Sequence, residues 1–209
     1  MFTRSTNYRK VAALLASAVL MAGIAGCGNT AGNANQPSGD TVASSKTSEV
    51  TKIDASYAES YDSYDAMAKA ADLVVDGEIV KATGTTEIGG VPATYYEVLV
   101  HSVAMRSGTA PKTVTVLQTG GVKDGQTFQV EGDPLLRPGD RELLYLKRGA
   151  DDPNVFYTLA GPSGRLSISE TGKLSKIGDS ALTGVPATGE QALENVVAQV
   201  DGATMSIVD

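Results

Sequence analysis

The sequence predicts a mainly β fold: a small barrel or sandwich of short strands with one helix before it and one after. Three observations predict it. Between Leu73 and Ile177, β-branched and aliphatic runs recur at short, even intervals. Turn chemistry separates them, at Gly89-Gly90, Gly120-Gly121, Lys123-Asp124-Gly125, Pro138-Gly139-Asp140, Asp151-Asp152-Pro153-Asn154 and Thr171-Gly172. Helical spacing of apolar residues is confined to the flanks, over residues 53–71 and 189–200.

The first segment reads as an export signal. Arg4, Arg9 and Lys10 precede Val11 to Gly26, an apolar run of 16 residues whose most polar member is Ser17. A helix rising about 1.5 Å per residue needs roughly 20 residues to cross the hydrocarbon core, so this run suits a signal better than a permanent span.

The run ends in Ile24-Ala25-Gly26-Cys27, which resembles the lipobox of bacterial lipoproteins. Small residues let a peptidase thread an extended backbone. The thiol is the one soft nucleophile able to take up a diacylglycerol as a thioether. The resemblance implies cleavage between Gly26 and Cys27 and an anchor of palmitate-type acyl chains on Cys27. Each buried CH₂ contributes about 0.8 kcal/mol, so two chains hold firmly where one holds marginally.

The expected organisation is a lipoprotein signal peptide over residues 1–26, a lipidated tether over 27–52, a helix plus β domain over 53–180 and a C-terminal helical segment over 181–209. After cleavage the 17 Lys and Arg lose three and become 14, against 24 Asp and Glu, a balance of −10. Such a charge opposes phosphate backbones and anionic headgroups, so nucleic acid is not an expected partner. One Cys and one His exclude zinc ribbons, CxxC redox centres and multi-histidine metal sites. With Cys27 acylated no thiol remains for a disulfide, and no cofactor is expected.

From Gly28 to Val50 the chain is rich in Gly, Asn, Ser and Thr and lacks aromatic residues, which predicts a tether spanning about 25 to 30 Å by random-coil scaling. Over Ile53 to Ala71, Tyr57, Tyr61, Tyr64, Ala68 and Ala71 follow helical spacing and share one face, expected to pack on the sheet. Ser56 with Glu59 has capping-box spacing, and Ser60 or Asp62 offers a later start.

The strands follow over Leu73 to Ala82, Thr94 to Met105, Lys112 to Thr119, Arg141 to Lys147, Val155 to Ala160, Arg165 to Ser169 and Lys173 to Ile177. A last helix is predicted over Gly189 to Val200: Thr188 and Gln191 have capping spacing, Leu193, Val196, Val197 and Val200 form the stripe, and Asp201-Gly202 ends it.

A resemblance covers about residues 63 to 178. Ala71-Asp72-Leu73-Val74-Val75-Asp76-Gly77, Val103-Ala104-Met105-Arg106-Ser107-Gly108, Val114-Thr115-Val116 and Leu136-Arg137-Pro138-Gly139-Asp140 before Leu143-Leu144-Tyr145-Leu146 are similar to uncharacterised secreted and lipid-anchored proteins of Gram-positive bacteria. It implies a small OB-like β-barrel of five or six strands with a helix at its N-terminal edge. It brings no catalytic residues.

No catalytic motif emerges from the residues themselves. His101 is the one imidazole and reads as a solvent-facing strand residue beside Ser102. Gly161-Pro162-Ser163-Gly164 lacks the spacing of a nucleophile elbow and precedes a strand. Paired carboxylates can cleave a glycosidic bond without histidine. The candidates Asp124, Asp133, Asp140, Asp151 and Asp152 all fall in predicted turns, where solvation and local hydrogen bonds account for them. Asp151, Asp152 and Asn154 lack calcium-loop spacing. For stacking on a sugar the chain offers Tyr95, Tyr96, Tyr145, Tyr157, Phe128 and Phe156, with Tyr95 and Tyr96 on opposite faces.

These readings lead to an expected cell-envelope lipoprotein on the extracytoplasmic face of the membrane, held by Cys27, acting as a non-catalytic binding or assembly module for an envelope protein or glycan. The alternatives are a wall-glycan hydrolase using paired carboxylates and an inhibitor or scaffold of an exported enzyme.

Overall fold

The computed structural model describes residues 50–208. The expected signal peptide, the expected cleavage site at Gly26 and Cys27, and the expected tether up to residue 49 lie outside the described residues.

The domain is mainly β. Its centre is a ring of five paired strands: β2 (Leu73–Ile88), β3 (Val91–Met105), β4 (Thr113–Lys123), β6 (Arg141–Arg148) and β7 (Val155–Thr158). The pairs β2/β3, β3/β4, β2/β6 and β6/β7 are antiparallel. A parallel pair, Thr115 with Val155 and Val116 with Phe156, joins β7 to β4 and closes the ring. The remaining strands extend it: β1 (Val50–Ile53) runs parallel to β5 (Gln126–Val130), β8 (Arg165–Ile168) pairs with β6, β9 (Leu174–Lys176) with β8, and β10 (Thr204–Ile207) with β3.

Strand alternation divides the core in two. Val75, Ile79, Tyr96, Val98, Val116, Leu144, Leu146 and Phe156 pack together inside the ring. Val74, Leu143 and Tyr145 face the other way and meet α1 (Tyr64–Ala70) and α2 (Gly189–Gln199) through Tyr64, Met67, Leu193 and Val196. Leu73-Val74-Val75 of β2 and Leu143-Leu144-Tyr145-Leu146 of β6 are therefore covered on both faces, which is why they read as unbroken apolar runs and not as alternating ones. Each such side chain contributes about 1.5 to 3 kcal/mol when fully buried.

The first helix is a correction. The expected helix over 53–71 shrinks to Tyr64–Ala70, and its cap is Ser63, whose Oγ accepts from Ala66 N at 3.2 Å. Upstream, Val50–Ile53 pairs with Thr127–Val130, so the last three residues of the expected tether, Val50 to Lys52, are strand instead. A ladder of backbone bonds outweighs helical periodicity in a segment whose first apolar residues have no helix-side partner. Tyr64, Ala68 and Ala71 pack on the core as the stripe predicted, with Tyr61 partly buried beside them, while Tyr57 goes elsewhere.

Two further strands escaped the sequence pattern. β5 forms a tight hairpin with β4 through Asp124 (φ 53°) and Gly125 (φ 78°), the positive-φ pair of a two-residue turn. β10 is a short edge strand bearing exposed Ile207. The second helix matches its expected start: Thr188 accepts from Gln191 N at 3.2 Å, and Gln191 reaches back to Ala187 N at 2.8 Å.

Candidate functional site

A groove of about 530 Å³ opens where the chain between β1 and α1 crosses the outer end of the ring. Residues 55–59 form one side. Tyr157 to Gly161 form another, and Leu117 to Thr119 of β4 with Asp133 complete it.

Below the groove lies an ion network. Arg165, the first residue of β8, pairs across from Leu144, and Glu142 shares the inward face of β6 with Leu144. Arg165 Nε and Nη2 donate to the two oxygens of Glu142 at 2.8 and 2.7 Å, and its Nη1 donates to Asp133 Oδ1 at 2.6 Å. Gln118 Nε2 donates to the same Asp133 oxygen at 3.0 Å, while its Oε1 accepts from Leu136 N at 2.9 Å. All four side chains are buried. Asp133 Oδ2 has no hydrogen-bond partner among the described residues.

One cation faces two carboxylates here, and Glu142 takes the bidentate share. Burial therefore dominates at Asp133 and raises its pKa above the ordinary carboxylate range, against the opposing pull of Arg165 and Gln118. Burial likewise pushes the Tyr57 phenol up to about 12, with the Asp133 charge adding to it, so this hydroxyl stays protonated.

Two tyrosines line the groove, and each leans on a glycine. A Cβ at Gly149 would stand 3.0 Å from Tyr157 Cε2, and one at Gly161, whose φ is +56°, would fall inside the Tyr57 ring. Tyr57 is 42% exposed and Tyr157 38%. Next to Gly161, Ala160 adopts the left-handed conformation at φ 49°, a strain that a non-glycine residue keeps only where its surroundings enforce it.

The groove was only partly anticipated. Asp133 is a correction: its turn position suggests a solvated acid, yet it is among the most buried polar residues of the domain. The other turn acids stay local. Asp152 Oδ1 accepts from Asn154 N at 2.8 Å, Asp124 occupies its hairpin turn, and Asp140 hydrogen-bonds through its backbone to Ile79 N at 2.9 Å. No group of three or more His, Cys, Asp or Glu able to hold a metal ion occurs among the described residues. His101 lies on β3 with Nε2 3.7 Å from Glu78 Oε2 and both groups solvated, and Gly161-Pro162-Ser163-Gly164 forms a 3₁₀ turn before β8.

Of the candidate stacking residues, Tyr96, Tyr145 and Phe156 are core, Tyr95 and Phe128 are half-buried, and Tyr157 reaches the groove. Tyr96 is thus the inward member of the Tyr95-Tyr96 pair. Glu142 and Arg165 went unremarked in the sequence. Glu142 is a charged residue preceding Leu143-Leu144-Tyr145-Leu146, and a charge set in strand alternation with inward leucines is the signal that could have found it. A second clamp, buried Asp76 with exposed Arg141 at 2.7 and 2.8 Å, ties β2 to β6 beside Gly189 at the start of α2, where a carboxylate favours the helix dipole.

No family model, curated protein or solved structure matches this chain.

Proposed function

We propose that this chain is a lipid-anchored, non-catalytic binding module of the cell envelope, held at the extracytoplasmic face of the membrane by acyl chains on Cys27 and engaging its partner through the groove. The ring is read as an OB-like barrel. Its five strands close in the order first, second, third, fifth, fourth, with a parallel pair at the closure, an arrangement similar to barrels that bind ligands on an outer face. No helix among the described residues is long and apolar enough to cross a membrane, so in this reading attachment falls to Cys27.

One observation carries the non-catalytic part. The two buried acids that could work as a pair, Asp133 and Glu142, are clamped by the same arginine and diverge: Asp133 lines the groove, whereas Glu142 lines a separate hollow with Arg137, Ser167 and Ser169. Glycoside hydrolysis needs both carboxyl groups flanking one bond. Glu59, the other acid at the groove, is exposed and accepts from the Tyr61 hydroxyl.

The raised pKa of Asp133 is the one feature that favours the hydrolase alternative, since it suits a general acid. The two readings separate when the mature chain is added to isolated envelopes from cells lacking it. A module cosediments with them and releases no soluble fragments. Fragment release that stops in Asp133→Asn would establish the hydrolase instead.

A further inference from the structure

We propose that the groove is a subsite for an uncharged saccharide, whose ring faces rest on Tyr57 and Tyr157 and whose hydroxyl donates to Asp133 Oδ2. This rests on the reading of the chain as a binding module.

The first argument is shape. A pyranose presents flat patches of C–H on its faces and hydroxyls around its edge, so it pairs with exposed aromatic rings next to hydrogen-bond acceptors. Tyr57 and Tyr157 supply such rings from the segment before α1 and from β7, and the bare backbones of Gly161 and Gly149 let them approach the wall closely. Thr119 and Thr158 add hydroxyls to the lining. The cavity, about 530 Å³, falls in the range of pockets that hold small organic ligands.

The second argument is hydrogen bonding. Asp133 uses Oδ1 for both Arg165 and Gln118, so neither of them engages Oδ2, and the residue lines the groove. A carboxylate oxygen at the wall of a groove can accept from a donor that the ligand brings. A sugar hydroxyl is such a donor.

The third is charge. Lys147 is the one cation in the lining, and its Nζ is turned to Ala70 O at 3.1 Å and to Asp72 at 3.6 Å. A polyanion would meet Glu59 and Asp133, and the arginine beside Asp133 is already shared between that acid and Glu142. An uncharged glycan meets no such repulsion.

The test uses the complete mature chain in detergent, titrated with hexamers of β-1,4-linked N-acetylglucosamine and of β-1,4-linked glucose, and with hexagalacturonate as the anionic counterpart. The sequence has no Trp, so tyrosine emission reports binding directly, and reducing ends are assayed in parallel. At least one neutral hexamer is expected to bind, hexagalacturonate is not, and Tyr157→Ala and Tyr57→Ala each weaken binding about tenfold or more, a loss of about 1.4 kcal/mol. Tyr157→Phe keeps the ring and retains most of the affinity.

Absence of binding by both neutral hexamers overturns the inference, as does equal binding of hexagalacturonate or indifference to Tyr157→Ala. Should neither sugar bind while the chain still cosediments with envelopes, the saccharide fails and the module stands. Should a hexamer bind and be cleaved, the saccharide stands and the non-catalytic reading fails.

Discussion

Arg165 grips Glu142 through two parallel hydrogen bonds of 2.8 and 2.7 Å in a region where both side chains are almost completely withdrawn from water. Planar, two-pronged pairing is among the strongest arrangements available to an arginine, and it leaves one guanidinium nitrogen free to hold Asp133. Removing one partner strands the other as a buried charge. Glu142→Ala is expected to cost about 3 to 5 kcal/mol of stability in urea unfolding. A loss under about 1 kcal/mol, the range of exposed pairs, would contradict the geometry.

Asp133 gives that network a pH dependence of definite sign. Its folded pKa is raised by burial, so the folded chain takes up this proton at a higher pH than the unfolded chain does. The associated stabilisation is fully present below the unfolded value and is lost as pH rises through the folded one. Measured by urea unfolding between neutral pH and about pH 4, wild type should therefore gain stability relative to Asp133→Asn as pH falls. Wild type losing stability relative to Asp133→Asn on acidification would contradict this sign.

The helix caps are separable from the ring. Ser63→Ala and Thr188→Ala each remove an oxygen that accepts from a first-turn N–H, at 3.2 Å in both cases. Each is expected to cost about 1 kcal/mol and to lower Tm by about 2 to 4 °C for a domain of this size. Calorimetry of the two variants and the double variant also tests whether the caps act independently, since sites that share no partner should add.

Gly149 sets the tilt of Tyr157. A methyl group there would stand 2.9 Å from Asp152 O and 3.0 Å from Tyr157 Cε2, so the ring or the turn must move. Gly149→Ala is expected to destabilise by about 1 to 3 kcal/mol, as overpacking does, and to shift the Tyr157 ring resonances in an NMR spectrum. Unchanged Tyr157 resonances would show that the ring does not lie on this glycine.

Much of the strand framework was legible because its signals are local. Val98, Val100 and Val103, the Leu143-Leu144-Tyr145-Leu146 run and the Thr188 cap each declare their element within a few residues, and the structure has them there. What was not legible depends on distant partners. Val50–Ile53 is a strand only because Thr127–Val130 offers an open edge, and the helical spacing of Tyr57 and Tyr61 carries no hint of that edge. The groove follows the same logic. Asp133 looks like one turn acid among five until the fold brings Arg165 and Gln118 to it from other strands.

Cys27 carries the proposed membrane attachment, and mass spectrometry of the N-terminal peptide from protein purified out of native membranes tests it most directly. The predicted result is a peptide that begins at Cys27 and carries a thioether-linked diacylglyceryl group, together with loss of membrane retention in Cys27→Ser. Membrane-bound protein whose peptide runs uncleaved through Gly26 into a free Cys27 thiol would contradict it.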